Sequence, residues 1–208
     1  MKPESVTRWC LVIGIAAAAG LPVFAQQQPP KPTPEQIKAM LAEMGPGPEH
    51  RVLANLEGRW TLELTFNMGG PQAKPLTARG TATNRLILGG RFLMSEAVSD
   101  NPAGAEFGGT KVEMVGIYGF DRRTKEYTTI GLDTMGTYWV TAAGVMKPDK
   151  TIVMAGETLD DHAGSKEIRK YDMVLKVIDA DTYLTQVVFK FTNMPDLKIV
   201  EVVHRRMK

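Results

Sequence analysis

Three histidines, His50, His162 and His204, offer the most scope for acid–base or metal chemistry in this chain. None stands in a paired spacing such as H-x-H or H-E-x-x-H, so local sequence supports no metal site. His50 sits where a folded domain would begin. His162 falls in an Asp160-Asp161-His162-Ala163-Gly164 turn, where solvated polar residues are the ordinary occupants. His204 is different, because it alternates with Val200 and Val202 and shares their face of a strand. An inward imidazole there can hydrogen-bond, titrate or hold a haem iron, and its plainer role is a hydrogen-bonded wall residue. Arg91, Arg169 and Arg205 are each flanked by apolar residues, and an arginine turned inward could grip a ligand carboxylate in a bidentate fork. Asp133 precedes Thr134-Met135-Gly136-Thr137-Tyr138-Trp139, so a carboxylate beside Tyr138 and Trp139 could orient a ligand, although a hairpin turn uses the same residues.

Other chemistries find no pattern. Ser95 and Ser99 lie in no G-x-S-x-G elbow, and Asp160 beside Asp161 points its carboxylates apart. Leu88-Gly89-Gly90-Arg91 and Phe107-Gly108-Gly109-Thr110 precede no helix that could hold phosphate, so they read as turns or bulges. No residue is assigned a catalytic role, and the chain leans away from an enzyme.

The compartment is legible. Lys2 and Arg8, the apolar run Trp9 to Gly20 and the small residues around Val23-Phe24-Ala25 form an expected signal peptide over 1–25, cut near Ala25-Gln26. The run is too short to span a bilayer comfortably, and no later stretch could span one as a helix. The expected destination is the periplasm or the exterior. Cys10, the one cysteine, lies inside that signal, which removes disulfides and thiolate chemistry from the mature chain. The formal net charge of +2 falls to +1 once Lys2, Glu4 and Arg8 are removed. No strong field draws nucleic acid.

Residues 26–47 read as a Pro/Gln-rich leader followed by a short helix, and residues 48–208 as one folded domain. Thr33-Pro34-Glu35-Gln36 carries a capping box with proline at the first helical position, so residues 34–44 should be helical. Ile37, Met40, Leu41 and Met44 give that helix an apolar face that could lie against the domain. Gly45-Pro46-Gly47-Pro48 ends it, and about two helical turns over 49–56 should lead into Gly58. Trp60, Leu62, Leu64 and Phe66 then alternate with polar residues, the pattern of a half-buried strand with Trp60 as a floor plug. Strands are expected at 59–67, 77–87, 91–99, 110–120, 125–133, 137–145, 150–157, 167–178, 182–191 and 197–206. With short connections and no crossover helices, an antiparallel up-and-down β-barrel of about ten strands follows.

Gly58-x-Trp60 on the first strand, with a basic residue on the last, resembles the calycin superfamily of lipocalins, fatty-acid-binding proteins and nitrobindins. Arg205 or Arg206 would then close against Trp60 by cation–π stacking. Gly47-Pro48-Glu49-His50, Leu56-x-Gly58-x-Trp60, Leu88-Gly89-Gly90-Arg91-Phe92-Leu93, Gly119-Phe120-Asp121, Asp133-Thr134-Met135 and His204, taken in order, resemble a bacterial exported domain-of-unknown-function family, number 1579. The likeness implies a calycin-like barrel over about 47–207 and no particular reaction. Nitrobindins suggest haem held at His204, although their glycine- and proline-containing opening is absent after Trp60.

A small hydrophobic ligand in the barrel is the expected partner, lined by Arg91, Asp133, Tyr138, Trp139 and His204, with Gly58, Trp60 and Arg205 structural. The alternatives are a haem protein or small enzyme using His204, and a structural module whose leader and first helix dock elsewhere. Oligomeric state is left open.

Overall fold

The computed structural model describes residues 31–67, 73–102, 110–160 and 166–208. The expected signal peptide, Asp161, His162 and Phe107-Gly108-Gly109 lie outside them. Helix α1 (Pro34–Glu43) begins with the expected capping box: Gln36 N–H donates to Thr33 Oγ1 at 3.2 Å, and Thr33 N–H donates to Gln36 Oε1 at 2.8 Å. Its apolar face is not packed on the barrel, since Ile37, Met40, Leu41 and Met44 remain 44% to 67% exposed. Its C-terminal end is held instead by Arg122, whose guanidinium donates to the carbonyls of Ala42, Glu43 and Gly45. Helix α2 (His50–Ala54) is shorter than the two turns expected, and it buries Leu53.

Ten strands follow: β1 (Gly58–Phe66), β2 (Leu76–Ile87), β3 (Phe92–Asp100), β4 (Lys111–Asp121), β5 (Glu126–Asp133), β6 (Val140–Met146), β7 (Thr151–Asp160), β8 (Glu167–Val177), β9 (Thr182–Phe189) and β10 (Leu197–Arg206). Each pairs antiparallel with its neighbour in sequence and β10 pairs with β1, so the sheet closes into an antiparallel up-and-down barrel with no free edge. The sixth strand starts later than expected. Asp133 Oδ1 accepts from Met135 N–H at 2.8 Å, and this side-chain turn keeps 134–139 out of the ladder.

The meander gives the barrel two unlike ends. The turns β2–β3, β4–β5, β6–β7 and β8–β9 gather with α2 at one end, and β1, β3, β5, β7 and β9 run from that end toward the opposite one. The first end is shut. Trp60 is 1% exposed, packs edge-on against Tyr183 with centroids 4.7 Å apart, and donates from Nε1 to Leu56 O at 3.0 Å. Arg206, not Arg205, lies over its ring, with the guanidinium carbon 4.2 Å from the centroid. Arg205 belongs to the opposite parity of β10 and reaches Glu63 on the outer surface at 4.0 Å. Arg206 also donates to Glu57 O at 2.7 Å, Asn55 O at 2.8 Å and Ala180 O at 3.1 Å. Gly58 makes room for this: its φ is +128°, and a Cβ there would stand 2.8 Å from Arg206 Nη1.

Arg206→Ala should therefore remove the cation–π contact and leave the exposed carbonyls of Asn55 and Glu57 to water. Chemical denaturation should show a loss of about 1 to 2 kcal/mol. Arg205→Ala should stay within about 0.5 kcal/mol of wild type. Equal effects of the two substitutions would contradict this assignment.

Candidate ligand-binding site

Side chains that share Trp60's parity across the register point into the lumen. Just above the floor they form a polar cluster on β2, β9 and β10. Asn84 Nδ2 donates to Leu56 O and to the Tyr183 hydroxyl, both at 2.9 Å. The Tyr183 ring lies flat against His204, with centroids 3.9 Å apart and an interplanar angle of 14°. Thr185 Oγ1 and His204 Nε2 are 3.1 Å apart. Asn84 Oδ1 and His204 Nδ1 are buried with no hydrogen-bond partner.

Burial governs the titration of this cluster. Desolvation holds the His204 imidazole down to about 3 from its ordinary 6.5, and it pushes the Tyr183 phenol well above the usual range. At neutral pH His204 is therefore an uncharged group and a poor general base.

The remaining lower lumen is filled. Leu62, Leu93, Ile152, Met154 and Leu175 are each 1% or 2% exposed, and the space between Leu53, Tyr118, Ile152, Met154 and Leu175 admits no water molecule. The upper half is mixed: inward Leu64, Ala78, Ser99, Val112 and Tyr171 are buried there as well. Inward Met114, Val140, Met173, Val187, Phe189 and Val202 pack against the core from above and are only partly buried. Ser95, Ala97, Gly116 and Gly131 face them from β3, β4 and β5, so one arc of the wall carries small side chains. Tyr118 leans over Gly116, but a Cβ on Gly131 would meet only Val140 Cγ2, at 3.3 Å. A ten-stranded barrel is wide enough to hold a ligand when such positions stay small. Arg169 stands on the inward face of β8 at the open rim, with its guanidinium 4.6 Å from the centroid of the Phe191 ring.

The five residues expected to line one site are not brought together. His204 is buried near the floor, whereas Asp133, Tyr138 and Trp139 lie at the open end, with Tyr138 and Trp139 58% and 68% exposed. Asp133 is spent on its own turn. Arg91 lies outside the closed end, where Nη1 donates to Leu88 O at 3.1 Å. Sequence reasoning missed the Asn84–Tyr183–His204 cluster and the arc of small residues. Propagating Trp60's inward parity strand by strand is the signal that finds both.

The surroundings of His204 do not fit haem. An axial histidine needs a bare ring nitrogen facing an open slot. Here Nε2 is engaged by Thr185, the bare Nδ1 is itself buried, one ring face is covered by Tyr183, and the residue is 7% exposed, so no open slot faces either nitrogen. Among the described residues no group of three or more His, Cys, Asp or Glu is placed to hold a metal, and no helix is long and apolar enough to cross a membrane.

The depressed His204 pKa makes a pH prediction. The unfolded chain takes up this proton first as pH falls below 6.5, so stability is complete above that value and drains away down to about 3. Each pH unit crossed in that window costs up to about 1.4 kcal/mol. Between pH 7 and pH 4, His204→Gln should lose at least about 1 kcal/mol less unfolding free energy than wild type. Equal losses would contradict a buried neutral imidazole.

Comparison with known proteins places the barrel. Two solved structures are similar to the chain: a de novo designed fluorescence-activating β-barrel at 14% identity and TM-score 0.39 over 75% of this chain and 97% of the design, and Rv2717c from M. tuberculosis at 16% identity and TM-score 0.50 over 78% of this chain and 99% of that one. The second likeness shows a common fold and nothing finer. No curated protein matches the chain. The family model described as "Protein of unknown function (DUF1579)" matches residues 45–206, which takes in α2 and all ten strands, and the chain belongs to that family.

Proposed function

We propose that this protein is a non-enzymatic binding barrel that admits a small apolar molecule through its open end into the upper half of the lumen. One observation carries the reading: over a packed floor, inward Met114, Val140, Met173, Val187 and Val202 are only partly buried, and Ala97, Gly116 and Gly131 give one arc of the wall small side chains. A protein interior ordinarily fills such space to crystal density, and an apolar wall left within reach of solvent is stabilised by an apolar guest. The bulk of the apolar stabilisation comes from area removed from water, about 25 cal/mol per Å². In the polar cluster below, burial makes His204 a weak base, and Thr185 and Tyr183 rather than a carboxylate flank it, which favours a binding reading over a catalytic one. The signal read at residues 1–25 would put this binding in the periplasm or outside the cell.

Gly131→Phe tests the reading, since its ring would project into the space the ligand needs. Titration with the neutral fluorophore phenylnaphthylamine should show saturable binding to wild type. The substituted barrel should bind at least about tenfold more weakly, a difference of about 1.4 kcal/mol. Unaltered affinity, with the variant still folded by circular dichroism, would overturn it.

A further inference from the structure

A second cavity lies outside the barrel, against its closed end, and the reading of the lumen does not use it. It has a volume of ≈ 790 Å³ and is bounded by the last turn of α1, by α2, and by the β2–β3 and β4–β5 turns. Its apolar lining comes from Met40 and Met44 on the helix and from Phe92 and Phe120 on the barrel. The two methionines are 55% and 67% exposed, so the apolar face of α1 is turned toward space rather than toward packed neighbours. Methionine side chains are flexible and polarisable, and they adapt to guests of irregular shape.

The charge on its walls is one-sided. Arg91, Arg122 and Lys125 line the cavity. Asp121 is taken up by Arg123 at 2.7 Å, which leaves Glu43 as the other acidic side chain on the lining. His50 on the same lining is held below its ordinary pKa by burial first and by the Arg122 and Arg91 guanidiniums, against the Glu49 carboxylate, which raises it. Arg122 is anchored by the carbonyls at the end of α1, so the helix and the cationic wall are fixed to one another.

We propose that this cavity is a separate binding site for a small organic anion with an apolar body. The apolar part would rest on Met40, Met44, Phe92 and Phe120, and the anionic group would face Arg91 and Lys125. Opposite charges this close to a concave apolar surface reinforce one another more than on an open surface, and the attraction weakens with salt.

Anilinonaphthalene sulfonate, an aromatic anion whose fluorescence rises in apolar surroundings, serves as the probe. Its titration should saturate, weaken as salt is raised, and lose at least about tenfold in affinity in the double variant Arg91→Gln/Lys125→Gln. Met44→Glu, which places a carboxylate in the cavity from an exposed position, should weaken it similarly. Gly131→Phe should leave it unchanged. Affinity that survives both the double variant and Met44→Glu, or that disappears in Gly131→Phe, would overturn the proposal and place the dye in the lumen or on unspecific surface.

Discussion

Three consecutive carbonyls between α2 and β1 need donors, and the barrel closes around the side chains that supply them. Asn55 O and Glu57 O accept from Arg206, and Leu56 O accepts from Trp60 and Asn84. These donors come from β1, β2 and β10, the strands that must meet for the sheet to lose its edges. Leu56 O is the buried one of the three, and a buried carbonyl without a partner costs about 1 to 3 kcal/mol, so the floor residues Trp60 and Asn84 are tied to the hinge. The cation–π contact between Arg206 and Trp60 lies at the centre of this arrangement.

The rest of the molecule follows from that seal. With Trp60 directed inward, register fixes the inward set of every other strand, and Tyr183, His204 and Thr185 are placed just above the floor. Their polar atoms are withdrawn from water, which is why His204 stays neutral over the physiological range. Above them, small residues on β3 to β5 oppose larger apolar ones on β8 to β10, and the inward set there mixes buried with partly buried side chains. The tight turns and α2 cover the sealed end.

Much of this was written in the sequence. The alternation of Trp60, Leu62, Leu64 and Phe66, repeated in later segments without a crossover helix, carries an antiparallel barrel on period alone, because a one-residue slip would turn the apolar set outward. The capping box at Thr33 and Gln36 was equally plain, being local chemistry. The site was less legible. Asp133, Tyr138 and Trp139 are neighbours in sequence and stay together at the rim, but Arg91 and His204 are separated from them and from each other by strand direction, which residue types do not encode. Arg205 and Arg206 differ only in parity, and choosing between them requires the pairing of Trp60 with Arg206. The apolar face of α1 reads as a packing surface by period, yet Arg122 holds the helix by its carbonyl end and leaves that face over a cavity.

Methionines happen to mark every compartment of the molecule: Met154 in the packed lower core, Met114 and Met173 in the upper lumen, and Met40 and Met44 beside the outer cavity. Methyl-labelled methionine NMR during titration with a neutral apolar alcohol therefore tests directly whether the upper lumen receives an apolar guest. The account predicts saturable shifts at Met114 and Met173 with Met154 unmoved. Shifts confined to Met40 and Met44, or no saturable shift at Met114 and Met173, would contradict it.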